Sequence, residues 1–450
     1  MTATLRTPME RAPDPRLGTA PVPKDRYTSR EFMQLEWERM WTRTWLLAGR
    51  ASDAPNPGDY FTFEIGPESV LVIRQADASL AARYNVCMHR GNRLREPGRG
   101  HAEGFSCLFH GWRYGIDGKL LAVVDPQAFP QGCEGLDLRP VRCETWAGFV
   151  FLNLDPNAEP LLDYLGVIPE HLDPYHFDEW QVAFDATIEI ECNWKTSVDA
   201  FNEAYHLSAT HTWTLEFSDD VNTLYDCYDK HTRMIFPEVQ ASPRHPGAGT
   251  VTRGIRDLFL ARVGVDVANF AGGPAEARTA FADAVRKMGP ALGCDFSELN
   301  EAQMCDDFHY TLFPNATFNI HSLFVWVFTH RPHPDDPNKM FFDFWSLVRA
   351  PAQQIPRPEK RFFRTEDGDT LAGQCEGGDL LDEDLYNLPR IQAGMRSAAF
   401  RNLHLGEQEV RIRHFHRTLE SYLQGGRLEE SADAQRAEGE RRRAPAGDGR

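Results

Sequence analysis

Two short segments constrain the fold of this 450-residue chain more than any other feature: CMHRG at Cys87–Gly91 and CLFHGW at Cys107–Trp112. The pattern is C-x-H, then 17 intervening positions, then C-x-x-H. Both pairs lie among short β-type runs (YFTFEI, SVLVIR, ARYNV, FSCLF, GFVFLNL) separated by Gly, Pro, Asp and Asn. Such runs between turn residues predict a compact antiparallel β domain. Gly91, Gly111 and Gly115 supply tight turns, so two loops at one tip of the domain can bring two thiolates and two imidazoles together.

Two Cys and two His suit a centre in which one iron takes both thiolates and the other both imidazoles. That is the ligation of a Rieske [2Fe–2S] cluster, whose imidazoles raise the reduction potential. The same residue types also make a structural zinc set, and four unrelated residues are the plainest alternative. Zinc fingers usually pair like with like, whereas each pair here is mixed, which favours two irons.

Composition narrows the rest. A net charge of −18 repels nucleic acid over most of the surface. No run of 18 apolar residues occurs, so no membrane-spanning segment is expected. Met1–Pro23 is polar, dotted with proline and lacks the apolar core of a secretory signal. The nine scattered Cys then read as reduced thiols of a cytoplasmic protein.

A second constellation lies in NWKTSVDAFNEAYHLSATH, Asn193–His211. Non-haem Fe(II) oxygenases bind iron through two His and one carboxylate and leave the other positions open. His206 and His211 are candidates for the pair. Five positions on an ideal helix rotate about 500°, leaving two side chains about 140° apart. A helix over Lys195–Thr210 must therefore end or loosen before His211. Asp199, Glu203 and His206 fall at i, i+4 and i+7 on one face. Further acids crowd LLDEDLYNLPRIQAGM, where Asp382, Glu383 and Asp384 compete with Asp199 as third ligand. The plain reading of these acids is a solvated helix face or a favourable helix start.

Together these segments resemble the large (α) subunit of the Rieske non-haem iron ring-hydroxylating oxygenases, from about Arg26 to Leu423. The resemblance implies an α+β fold. An antiparallel β Rieske domain would occupy 46–157, and a catalytic domain with a curved antiparallel sheet and helices, of the helix-grip, START-like type, would occupy 158–424. A helical segment at 1–45 would pack on the catalytic domain, and the charged tail 425–450 reads as disordered. The resemblance further implies a [2Fe–2S] cluster on Cys87, His89, Cys107 and His110, and a mononuclear Fe(2+) on His206, His211 and Asp384. Asp384 matches the family's acid because it precedes Gln392 by eight positions. Glu203 matches the acid that links a mononuclear-site His to a Rieske His of a neighbouring subunit.

The activity so implied is that of a terminal oxygenase component. It would use O2 and electrons from a ferredoxin or reductase to hydroxylate or oxidatively dealkylate a small, largely apolar, aromatic-type substrate. Ring cis-dihydroxylation is the alternative outcome. A homotrimer is implied, as α3 or as α3β3 with a small subunit. A reading of another class is a non-catalytic ligand-binding protein with a Rieske module, which predicts no iron at His206 and His211. The family usually carries Pro at the position of Met88 and Pro-Tyr at Leu108-Phe109. Candidate pocket residues are Phe201, Trp213, Phe217, Phe308, Asn315, Phe318, His321 and Phe324. Unbroken alternation along 317–328 would put Thr317, Asn319, His321, Leu323 and Val325 on one face and Phe318, Ile320, Ser322, Phe324 and Trp326 on the other.

Overall fold

Alternating burial along Asp59–Ile65, with Phe61, Phe63 and Ile65 inside, gives a strand with one face on the core. Val70 to Ile73 are all fully buried, as a central strand requires. These belong to the smaller of two units in the computed structural model, which describes residues 17–353 and 355–425. The smaller unit is Trp37–Glu179 with Arg331–Asp336; the larger holds the remaining described residues. The expected tail beyond Gly425 lies outside the described residues.

In the smaller unit the strands are β1 (Leu46–Arg50), β2 (Asp59–Ile65), β3 (Glu68–Arg74), β4 (Leu80–Tyr84), β5 (Arg99–His101), β6 (Gly104–Ser106), β7 (Arg113–Gly115), β8 (Leu120–Ala122), β9 (Pro140–Trp146) and β10 (Phe149–Asn153). They form a seven-stranded sheet, ordered β1-β10-β9-β4-β3-β2-β5, and a three-stranded sheet, β6-β7-β8. The first Cys–His loop follows β4, and the second joins β6 to β7.

The larger unit is an eight-stranded curled sheet. Its strands are β11 (Gln181–Ile190), β12 (Leu224–Cys227), β13 (Thr232–Phe236), β14 (Asp307–Leu312), β15 (Ala316–Ile320), β16 (Phe324–Pro332), β17 (Met340–Val348) and β18 (Arg361–Arg364), ordered β12-β13-β14-β15-β16-β17-β11-β18. β11 pairs antiparallel with β17 and parallel with β18. The helices used below are α1 (Arg30–Glu36), α2 (Trp194–Ala200), α3 (Pro274–Leu292), α4 (Gly378–Met395) and α5 (Val410–Leu423). Val22, Tyr27 and Met395 share a small core, so the N-terminal segment packs on the end of α4.

Ser29 Oγ accepts the Phe32 N–H at 3.1 Å and caps the start of α1, from which the chain runs on into β1. Two local expectations need correction. Gly272–Pro274, whose Gly and Pro residues suggest a surface loop, instead leads directly into the 19-residue α3: Pro274 is its first residue, and Glu276 accepts the Gly273 N–H at 3.0 Å. The unbroken strand through 317–328 is a hairpin: His321 N–H donates to Phe324 O at 2.9 Å, and Asn319 lies opposite Trp326. Nothing in IHSLF carries Gly, Pro or Asn, so the turn gave no signal. Directly opposed residues share a face. Thr317, Asn319, His321, Phe324, Trp326 and Phe328 therefore lie together, and Phe318, Ile320, Val325 and Val327 lie on the other face.

Candidate metal centres

The two Cys–His loops are backbone copies of each other. Cys87 N–H donates to Asn92 O (2.8 Å) and Gly91 N–H to Cys87 O (3.0 Å); Cys107 N–H donates to Trp112 O (2.8 Å) and Gly111 N–H to Cys107 O (3.0 Å). Gly91 (φ +76°) and Gly111 (φ +70°) take the left-handed conformation that closes each turn. The tight turn expected at Gly115 is made at Gly118 (φ +84°), with Gly115 in β7.

Both sulfurs are buried and face each other closely enough to influence one another's ionisation. Burial raises the Cys107 thiol, but the N–H groups of Phe109 and His110, turned toward the sulfur, bring it below its ordinary value. The His89 ring stacks on Trp112 (4.9 Å, 7°) and meets His110 edge-on at 4.6 Å. His89 Nδ1 is buried with no hydrogen-bond partner among the described residues. An inward imidazole nitrogen beside two buried thiols is a donor set that fits the cluster. Tyr114, which the motif reading missed, accepts the Met88 N–H at 3.0 Å and has its own proton for Cys87 Sγ at 3.4 Å. Its signal was a Tyr two positions past Trp112, on the first strand after the second loop.

In the larger unit, Asn193 caps α2 by accepting the Lys195 N–H at 3.1 Å. The helix stops at Ala200 and does not reach Thr210 as expected. Glu203 Oε2 takes the His206 N–H at 2.9 Å, a local side-chain bond that competes with helix continuation. Two 3₁₀ turns, Tyr205–Ser208 and Thr212–Glu216, then carry the chain past His206 and His211. The two rings converge, with centroids 5.1 Å apart.

One ligand atom from each of His206, His211 and Asp384 lies within 4.8 Å of the others. Asp384 Oδ1 is 3.1 Å from His211 Nε2 and 3.8 Å from His206 Nε2. Each ring's other nitrogen meets an acid: His206 Nδ1 lies 2.8 Å from Glu203 Oε1, and His211 Nδ1 lies 2.5 Å from Glu383 Oε2. Carboxylates on both Nδ1 atoms set both Nε2 lone pairs toward Asp384. Burial lowers the His206 pKa, but Glu203 and Asp384 outweigh it and raise it to about 9. The site therefore favours positive charge, and two imidazoles with one carboxylate fit Fe(II).

The rival acids are otherwise engaged. Both Asp382 oxygens accept backbone N–H groups, of Leu371 and Ala372, at 2.8 Å. Asp199 accepts the Tyr27 hydroxyl at 2.5 Å. Glu383 holds His211 and also accepts the Trp213 indole N–H at 3.3 Å. Successive positions on α4 turn by about 100°, so of the three acids Asp384 meets the Nε2 side of the His pair, Glu383 meets the Nδ1 of His211, and Asp382 turns to the backbone. Gln392 clasps α4 to the start of α2, accepting from Asn193 N–H (3.0 Å) and Thr196 Oγ1 (3.2 Å).

The helix-facing side of the sheet is fixed by two contacts: Thr311 Oγ1 donates to Asn202 Oδ1 (2.7 Å), and His330 Nδ1 meets Ser197 Oγ (2.9 Å). Phe201 packs on Phe328 (4.9 Å) and Phe342 (5.7 Å) on that side. Phe308 and Phe318, expected in the pocket, point the other way by register. On the helix side Asn319, His321, Phe324 and Trp326 keep partial exposure, whereas Phe318, Ile320, Val325 and Val327 are fully buried.

Known proteins bear on this arrangement. A family model described as "Rieske [2Fe-2S] domain" matches residues 44–132, and one described as "Ring hydroxylating alpha subunit (catalytic domain)" matches 177–425. The benzene 1,2-dioxygenase α subunit of Pseudomonas putida is 30% identical over 384 residues, covering 82% of this chain and 78% of the relative. The oxygenase subunit of glycine betaine monooxygenase from Pseudomonas aeruginosa is 30% identical over 190 residues, covering 42% and 44%. The solved structure of a quaternary ammonium Rieske monooxygenase shares the fold with a TM-score of 0.66 at 21% identity, covering 91% of this chain and 96% of that one. No helix among the described residues is long and apolar enough to cross a membrane. With a Rieske [2Fe–2S] domain and a non-haem iron catalytic domain in one polypeptide, the chain belongs to the Rieske ring-hydroxylating oxygenases as an α subunit, an oxidoreductase that acts on small molecules with O2.

Proposed function

We propose that Cys87, His89, Cys107 and His110 hold the [2Fe–2S] cluster and that His206, His211 and Asp384 hold the mononuclear iron. The observation that carries this reading is the convergence of two Nε2 atoms on Asp384, each imidazole backed by its own acid. Iron at that site would supply O2 activation next to the substrate. The residues do the remaining work. Glu203 and Glu383 orient the imidazoles, Phe201, Phe328 and Phe342 make an apolar wall, and Asp384 supplies the third donor. The favoured outcome is hydroxylation or oxidative dealkylation of a small, largely apolar substrate. Ring cis-dihydroxylation is the second reading, supported by the aromatic wall and by the benzene dioxygenase relative.

Electrons would come from a ferredoxin or reductase. The working unit would be a homotrimer in which Glu203 meets a Rieske His of the next subunit. Exposed apolar side chains support such an interface: Leu108, Phe109 and Val124 around the cluster loops, Tyr205 and Tyr386 around the mononuclear site. Iron analysis of the loaded protein is the test. Three irons per chain are expected; two, with an intact cluster spectrum, would leave the mononuclear site without its metal and favour a ligand-binding protein.

A further inference from the structure

Arg411 is fully buried on α5, and its hydrogen bonds go to neutral groups. Nε donates to Thr232 Oγ1 at 2.9 Å; Nη2 donates to His309 Nδ1 at 2.9 Å and to Thr311 Oγ1 at 2.7 Å. A guanidinium can only donate. His309 Nδ1 is therefore an acceptor, and the ring proton sits on Nε2. Burial and the nearby Arg411 charge hold His309 well below the ordinary histidine range, so the ring is neutral. Thr311, accepting from Arg411, gives its own proton to Asn202 Oδ1 at 2.7 Å. That leaves the amide nitrogen as the free end of Asn202. One cation thus fixes a tautomer and an amide orientation that coordinates alone leave open.

The donors so exposed, Asn202 Nδ2 and His309 Nε2, are buried and without a partner among the described residues, as is Arg411 Nη1. Asn319 Nδ2 is a further such donor, opposite His309 in register and on the same face. An unpaired buried donor is costly, and so is a buried guanidinium that has no ion-pair partner among the described residues. These groups lie on the helix-facing side of the sheet, and Asn202 is the residue before Glu203. Asp307 shares that side, two positions from His309, with Oδ1 on the Ile320 N–H at 3.1 Å.

We propose that Asn202, His309 and Asn319, with Arg411 behind them, form an oxygen-recognition site that holds the carboxylate of an organic acid substrate beside the mononuclear centre. The inference rests on the oxygenase reading of that centre. Neutral N–H donors backed by one buried cation suit an anionic oxygen group attached to an apolar body. A plain hydrocarbon would leave all of them unpaired.

Calorimetry on the full-length, iron-loaded protein compares benzoate with toluene and 2-naphthoate with 2-methylnaphthalene. At least one carboxylate should bind about tenfold or more tightly than its methyl counterpart, a difference of about 1.4 kcal/mol. Asn202→Asp, equal in size but turning a donor into an acceptor, should remove that preference. Absence of any carboxylate preference in the unmodified protein, including binding of neither class, overturns the proposal. So does a preference that survives in folded Asn202→Asp. Because the unmodified protein already decides, a variant that fails to fold does not blunt the test. The ferrous–nitrosyl EPR signal is recorded separately. Its absence sinks the iron reading, whereas its presence without a carboxylate preference sinks only the recognition site.

Discussion

The two candidate metal centres orient their histidines by different means. In the cluster loops, turn geometry and ring packing do it: twin backbone turns close at Gly91 and Gly111, and His89 lies flat on Trp112. No acid contacts His89 or His110 among the described contacts of those loops. At the mononuclear site, charge does it, with Glu203 and Glu383 on the two Nδ1 atoms and Asp384 between the Nε2 atoms. The first centre is thus a loop pair in which turns and stacked rings, with the Arg90 cation nearby, set the imidazoles. The second is an electrostatic assembly of residues 172 to 181 positions apart, which depends on a cation to offset its carboxylates.

Removing the central acid should break that contrast most visibly. Asp384→Ala leaves the His pair without its third donor, so iron per chain should fall from three to two while the cluster's visible spectrum stays. Turnover should fall to background. Cys107→Ala should do the reverse, abolishing the cluster spectrum and sparing the mononuclear iron. Retention of three irons in Asp384→Ala would return the third-ligand role to a neighbouring acid.

The proposed wiring between copies comes next. Glu203→Gln and His89→Ala chains should each be nearly inactive alone. Dissociated together and reassembled, they should regain turnover, because one chain's intact cluster can then serve another chain's intact mononuclear site. No recovery in verified mixed oligomers would confine electron transfer to single chains.

The acids on α4 give a finer separation. Glu383→Gln should weaken mononuclear metal binding by about 10–100-fold, the usual cost of losing an acid that orients a metal-bound imidazole. Asp382→Asn leaves metal affinity alone and lowers the melting temperature, since Asp382 accepts two backbone N–H groups of the Leu371–Ala372 turn. Metal titration and thermal unfolding of both variants check this. Equal metal affinities would make Glu383 a bystander.

The same contrast explains what could be read in the chain beforehand. The cluster set was legible because all four candidate ligands and both turn glycines fall within 25 residues and need no tertiary contact to be recognised. His206 and His211 were legible as a spacing, and the helical angle between them required an irregular backbone, which the two 3₁₀ turns supply. The choice of Asp384 over Asp382 and Glu383 depends on how α4 is rotated against the His pair, a packing outcome that spacing cannot encode. The grouping of residues along 317–328 was misread because a turn at His321–Leu323 without Gly, Pro or Asn reverses the chain. The donor array around Arg411 was invisible for the same reason, since it joins Asn202, His309, Asn319 and Arg411 from four separate segments.

The smallest expected effect tests how finely the cluster loops are tuned. Tyr114 accepts the Met88 N–H, so its hydroxyl proton is directed at Cys87 Sγ. A hydrogen bond to a ligand sulfur stabilises the more negative, reduced cluster and raises its potential. Tyr114→Phe keeps the buried ring and removes that bond. A neutral hydrogen bond contributes about 1 kcal/mol, which for one electron corresponds to a fall of about 40–45 mV. The readout is the midpoint potential of the cluster, with iron content and mononuclear metal affinity unchanged. A variant with the parent potential would mean that the hydroxyl serves only the Met88 N–H, and that the twin turns alone set the environment of the sulfur.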